Sequence, residues 1–446
     1  MKSETKMNFI IPTSKARRRP VRALILGGTA AFILGLALAA TAADWPTYMA
    51  DAQRSGISAE QLSTNLAASW VYPRITKPKA AWFNEAKSDY WNGVGNTLKN
   101  RLDFDLVNHV AIAGGRVYVG SSTEDTVNCI NAATGEPQWK FFADGPVRMA
   151  PMVAGGKVYF GADDGTAYCL NATNGALVWK YTPAGTNNYL APNNGAFVSP
   201  WALRSGVVVD SGTAYCAAGI FPGAGVYVCA LNATTGTRLW QQSQTNNGAL
   251  QGYALVSSAR LFVPGSRSNP YYCNRSDGSG WSQYNGGNAF GTFALLSGTN
   301  LFMGPAKGGG GNGGGTIITA ANDSGGSALA TYAGGNAMVV TATDTYLLSD
   351  TALQRLNRAT QTVIWSRTVS YPYALILAGT TLYAGGDGQV AAFDAATGNP
   401  LWSAAVRGRA AGLAVANGTL YVSTDQGYVT AFTQNQPAGQ DSVIVY

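Results

Sequence analysis

The sequence predicts an all-β chain, a ring of eight four-stranded antiparallel blades, and three observations carry that prediction. A turn-and-tryptophan phrase recurs: INAATGEPQW at 130–139, LNATNGALVW at 170–179, LNATTGTRLW at 231–240 and FDAATGNPLW at 393–402, with a looser RATQTVIW at 358–365. Two short apolar runs around a polar or glycine turn recur eight times, starting near His109, Ala150, Gly206, Tyr253, Phe293, Ala337, Ala374 and Gly412. The last of these units, GLAVANGTLYVSTDQGYVTAF, stops after three strands, while a spare strand with its tryptophan, LAASWVY at 66–72, stands at the other end of the chain. Four strands in about forty residues is the spacing of a propeller blade. Pairing 66–72 with the strand ending near Phe432 supplies the closure that a circular array needs.

Taken in chain order, the first element is an export signal over 1–43. Lys2, Lys6, Lys15, Arg17, Arg18, Arg19 and Arg22 precede the apolar run Ala23–Ala40, and small residues follow, so cleavage is expected near Ala42 or Ala43. An uncleaved membrane anchor is the alternative, because the run is nearly long enough to span a bilayer. With Glu4 as its single acid, this segment carries +6 of the chain's +7. The remainder is nearly neutral, so its charge gives no reason to expect nucleic acid as a partner. Residues 44–65 read as an N-terminal lead-in, 66–433 as the propeller and 434–446 as a tail. Gly at 55 of 446 residues and only 12% charged residues suit short strands and tight turns better than helices.

The recurrent turn has a physical reading. Asn/Asp-Ala-x-x-Gly joins the third and fourth strands, with the glycine supplying the positive φ of a bulged hairpin. The tryptophan then lies early on the outer strand, where a flat side chain wedges against the neighbouring blade. Trp70, Trp139, Trp179, Trp240, Trp281, Trp365 and Trp402 take this structural role. Unit four spells the turn one residue short (SDGSGW), and unit five has Leu329 in the tryptophan's place. Unit five also holds GPAKGGGGNGGG, read as a flexible loop between its middle strands. These are the irregular units.

Five cysteines follow the signal, an odd number, so at least one is unpaired. Cys216 and Cys229 lie on successive strands and are candidates for a cross-hairpin pair, although the repeat alignment sets them one register apart. Cys129, Cys169 and Cys273 precede equivalent turns and read as small buried apolar residues.

The turn motif and the opening DWPTYMADAQRSGIS at 44–58 resemble the bacterial PQQ-like repeat proteins over residues 44 to about 433. The resemblance implies an eight-bladed propeller and one of two activities. Quinoprotein alcohol dehydrogenases of this kind hold pyrroloquinoline quinone and calcium above the propeller axis. The non-enzymatic branch includes the propeller scaffold of outer-membrane β-barrel assembly. The enzymatic branch implies an adjacent, disulfide-linked cysteine pair, a carboxylate set for calcium and a nearby aspartate base. This chain has no Cys-Cys pair and few acids near the expected inner face, and a non-enzymatic binding role follows.

Candidate binding residues come from the blade alignment. Two loops on one face are unusually long, 73–108 and 182–205, and long loops on a rigid scaffold are where binding resides. The first carries Trp82, Phe83, Tyr90 and Trp91, the second Tyr189, Phe197 and Trp201. Plugging the channel or covering blade edges is their alternative role. At the first inner-strand position, where strands converge on the axis, small residues dominate, and His109, Tyr253 and Phe293 stand out. His109 is the chain's single histidine, so a histidine-based metal cluster is excluded. Arg148, Arg407 and Arg409 precede inner strands and are placed to meet an anion or a partner's carboxylates.

The reading is therefore an exported, monomeric binding or assembly scaffold of the cell envelope whose partner is a protein or extended peptide. It touches the membrane only through its signal, takes no nucleic acid and has no assigned catalytic residue, metal or cofactor. The alternative is a diverged dehydrogenase using pyrroloquinoline quinone with calcium.

Overall fold

Strand order within each unit follows from burial. In unit one the inner strand Val110–Ala113 is buried throughout, the second strand Arg116–Ser121 nearly so, and the outer strand Pro137–Phe142 alternates between partly covered and exposed. A strand buried on both faces reads as a continuous apolar run, and an edge strand against solvent reads as an alternating one. The computed structural model describes residues 43–73, 76–81, 105, 107–245, 248–266, 268–284, 291–305, 317–434 and 443–444. Among them there is no α-helix, and no helix long and apolar enough to cross a membrane.

Units one to six are separate four-stranded antiparallel sheets, each in simple up-and-down order. Units seven and eight share one nine-stranded sheet, because Pro400–Ala416 runs unbroken from the outer edge of unit seven into the inner strand of unit eight. Leu66–Tyr72 pairs antiparallel with Val429–Gln434, Trp70 opposite Ala431. Beyond it lies Val443–Ile444, added in parallel with Trp70 opposite Val443. The inner strand of unit one contacts that of unit two on one side and Pro400–Ala416 on the other.

The recurrent motif is a docking device between successive units. Each indole N–H donates to a carbonyl in the next unit's turn: Trp70 to Ala132 at 3.0 Å, Trp139 to Ala172 at 3.2 Å, Trp179 to Ala233 at 3.0 Å, Trp240 to Arg275 at 3.1 Å and Trp365 to Ala395 at 3.2 Å. The ring lies flat on the turn glycine. A Cβ on Gly135, Gly175 or Gly236 would come within 2.6–2.8 Å of indole atoms. The glycine is thus required twice, for its positive φ and for the ring above it. Trp402 reaches the carbonyl of Leu66 at 2.9 Å, where the chain ends replace the turn.

Four sequence expectations are corrected or refined. Trp281 does not dock: the shortened turn moves it one position, Ser282 takes the paired position opposite Tyr272, and Trp281 stacks on Tyr271 of its own sheet at 5.2 Å. In unit five the residue in register with the docking tryptophans is Ala330, opposite Ala320, while Leu329 is the bulged residue and points outward. Cys216 and Cys229 are directly opposite rather than one register apart, both buried thiols. Most of GPAKGGGGNGGG, and the tail except 443–444, lie outside the described residues.

The segment 44–65, a lead-in by sequence, is an integral layer across the turn ends of the inner strands. Trp45 bridges Ile112, the carbonyls of Pro46, Ala52, Gln53 and Gly56 accept from Val153, Val256, Leu296 and Leu377, and Ile57–Ser58 pairs in parallel with Leu377–Ala378. Glu60 accepts from the amides of Asn417 and Gly418 in the eighth unit's turn. Arg54, buried and at φ 62°, is the rivet: its guanidinium donates to the carbonyls of Ala254, Tyr48 and Asp51 and to the Thr47 hydroxyl. Burial lowers its pKa to about 10, so it remains charged at neutral pH.

Candidate functional site

The two long loops meet over one face and are locked there by a buried ion network. Arg148, in the loop entering unit two, donates from Nε to Asp163 at 2.6 Å and from Nη1 to Asp105 at 3.1 Å and to the Lys79 carbonyl at 2.6 Å. Arg204, in the loop entering unit three, makes a two-pronged contact with the same Asp163, both bonds at 2.9 Å. Burial alone raises the Asp163 pKa, but the two guanidinium groups outweigh it and hold the carboxyl below its usual range. At Asp105 burial prevails over Arg148 and the pKa is raised. Asp105 Oδ2 also accepts from the Ala81 amide. Arg148 is therefore committed to the fold and unavailable to an incoming anion.

The second loop folds back as a hairpin, Ala191–Asn193 against Ala196–Val198, around Asn194 and Gly195 at positive φ. Asn193 and Asn194 donate to the carbonyls of Ala81 and Ala80, which ties the hairpin to the first loop. Trp201 is buried beneath, its N–H on the Ala224 carbonyl and its ring edge-on to Tyr189. Above that support, Tyr189 and Phe197 are about three-fifths exposed (59% and 62%), and Leu190 is exposed beside them. Together the three side chains form an exposed apolar patch over a buried support.

The other sequence candidates are scattered. His109 and Tyr253 do meet, with Tyr48 of the N-terminal segment stacked on Tyr253 at 3.9 Å and edge-on to His109 at 4.8 Å. The Tyr253 hydroxyl accepts from the Ala150 amide at 2.7 Å. Burial drives the His109 pKa down to about 3, so this imidazole is neutral at physiological pH. Phe293 belongs to the hydrophobic core of the later units and lines no common site with them. Arg407 and Arg409 are exposed on the long strand, over the rings of Tyr428 and Tyr373, with Arg409 beside Asp425. Trp82 and Trp91 lie outside the described residues. Sequence reasoning missed Tyr48, Arg54, Asp105, Asp163 and Arg204. For Tyr48 and Arg54 the signal was present in DWPTYMADAQRSGIS, but motif spacing does not reveal which unit a segment will touch.

Quinone with calcium would need a convergent set of oxygen ligands. Calcium takes six to eight oxygen ligands, carboxylates prominent among them. Among the described residues no three His, Cys, Asp or Glu side chains converge. Asp105 and Asp163 are already spent on Arg148 and Arg204. The five cysteines are separate buried thiols within the sheets.

The profile of the family described as outer membrane protein assembly factor BamB matches residues 84–200, 191–367 and 349–437 of this chain. The chain belongs to this PQQ-like repeat family. Among solved structures, quinohemoprotein alcohol dehydrogenase from Comamonas testosteroni is similar at a TM-score of 0.62 and 14% identity, over 90% of this chain and 82% of that one. The enzyme ADHIIG from Pseudomonas putida HK5 is similar with the same figures, a TM-score of 0.62 and 14% identity over 90% and 82%. Identity this low reports a shared fold alone. Tetrathionate hydrolase of Acidithiobacillus ferrooxidans is 33% identical over 126 residues, 28% of this chain, which spans 24% of that protein's length.

Proposed function

We propose that this family member is an exported eight-bladed closed propeller acting as a non-enzymatic scaffold that binds an extended polypeptide in the cell envelope. The ring reading is supported by the pairing of 66–72 with 429–434 and by the contacts of the first inner strand on both sides. The binding reading is carried by one observation: Tyr189, Leu190 and Phe197 are exposed on a loop whose hairpin is tied to Ala80 and Ala81 and whose end is held by Arg204 on buried Asp163. A buried ion network that holds a loop is expensive to maintain and favours one geometry, and a pre-organised apolar surface loses little entropy on binding. The family description, an outer membrane protein assembly factor, suggests an unfolded outer-membrane β-barrel polypeptide as the probe.

Anisotropy of such a polypeptide, labelled and diluted from urea into the full chain, should report saturable binding. The triple substitution Tyr189→Ala, Leu190→Ala, Phe197→Ala should weaken it by about ten-fold or more. Equal affinity for the two proteins would remove the loop face from the proposal. Export is read from the mature N-terminus, expected at Ala43 or Asp44. The dehydrogenase alternative makes its own demand: titration with pyrroloquinoline quinone and calcium would have to give alcohol-dependent dye reduction, and we expect none.

A further inference from the structure

The junction between units five and six departs from the docking pattern in three ways at once. Ala330 stands where the indole belongs. Gln361, at φ 60°, replaces the turn glycine on which that indole would lie. Between them a cavity of about 530 Å³ opens, lined by Phe302, Ala330, Tyr332, Asn300, Arg358 and Gln361 among others. The Arg358 carbonyl corresponds to Arg275, the acceptor of Trp240 at an intact junction, and accepts no hydrogen bond from the described residues. The absent side chain has left its space and its acceptor behind.

The strand beside this cavity, Ala328–Ala333, ends its sheet, and among the described residues nothing pairs with its outer edge. Its sequence ALATYA carries no charge. The outer strands PQWKFF, LVWKY, RLWQQSQ and VIWSRT each hold a Lys or Arg, the usual guard against edge pairing. One other long outer strand has no charge, LAASWVY of unit eight, and that one is covered: Val443–Ile444 of the chain's own tail lies along it. This molecule therefore shows what sits on an uncharged outer edge.

We propose that an extended segment of a partner polypeptide adds to the edge of Ala328–Ala333 as a further strand and drops an aromatic side chain into the cavity beside Ala330. Backbone pairing supplies the affinity, and the cavity supplies the preference for an aromatic residue. Gln361 keeps the guest ring shallower than the resident indoles, since a Cβ at that turn position meets any ring seated at their depth. The site rests on the scaffold reading only in taking a polypeptide as partner, and it shares no residue with the loop face.

Two fluorescein-labelled ten-residue peptides of alternating Val and Thr, one with a central Trp and one with Ala there, test it on the full chain. The Trp peptide should bind saturably and about ten-fold tighter than the Ala peptide. Filling the cavity from within, by Ala330→Trp with Gln361→Gly, should abolish that preference. Thr331→Lys on the bare edge should weaken both peptides and keeps the test alive if the filled variant fails to fold. The loop triple variant should bind the Trp peptide normally, which separates this site from the loop-face reading. Equal affinity of the two peptides, or an unchanged Trp preference after filling, overturns the proposal. Competition by QDSVIVY together with dimerisation would assign the edge to a second copy of the chain and overturn it as well.

Discussion

A single carboxyl shows how closely burial governs this molecule. Asp164 accepts from the Tyr168 hydroxyl and the Thr166 amide, yet burial pushes its pKa up to about 6, above what those bonds recover. A raised carboxyl pKa contributes stability that is complete below its unfolded value near 3.8 and is lost as pH rises through about 6. Asp164→Asn should therefore flatten the stability–pH curve between pH 4 and 7 by about 1–3 kcal/mol, measured by urea unfolding across that range. The tryptophans make a second residue-scale prediction. Trp70→Ala removes a buried indole and its hydrogen bond and should cost about 3–5 kcal/mol. Trp281→Ala, which removes only a stack on Tyr271 within one sheet, should cost less than half of that in the same unfolding experiment. Equal costs would mean that docking between units adds nothing. The tryptophan–glycine spacing was legible in the sequence because both partners recur at fixed offsets. The irregular units were marked there by SDGSGW and Leu329, but the residue that takes the docking position in each, Ser282 and Ala330, was not, because it depends on the register across the bulge.

At the scale of elements, the loop face depends on a carboxylate shared by two arginines. Asp163→Ala would leave Arg148 and Arg204 buried without their common counter-charge, a change worth about 3–5 kcal/mol. The loss should appear as proteolytic cleavage within 182–205 before the sheets unfold. Resistance equal to that of the unsubstituted protein would show that the hairpin's bonds to Ala80 and Ala81 suffice. The length of both loops marked them in the sequence as a place for function. Their mutual lock did not show, since Asp105, Asp163 and Arg204 lie in three different connections and meet only through the arrangement of the sheets. Arg148 illustrates the same limit: a position before an inner strand is equally consistent with an exposed cation and with one buried against two acids.

Across the whole molecule, residues 44–62 bind units that are far apart in sequence. Arg54→Met would strand the Ala254 carbonyl and release the segment from the inner strands. Hydrogen exchange should then accelerate at the Val256, Leu296 and Leu377 amides, whose acceptors are carbonyls of this segment, with a stability loss of about 2–4 kcal/mol. Unchanged exchange at those amides would reduce the segment to a passive cover. The repeat, its strand order and the pairing of 66–72 with 429–434 could all be read along the chain, because periodic burial and a matched surplus and deficit are local or countable properties. Which glycine bears a ring, which arginine is buried, and where one junction stands open are set by contacts between units. Those contacts depend on shifts of a single residue in register, and a linear pattern of apolar and polar positions carries no record of what faces it across a junction.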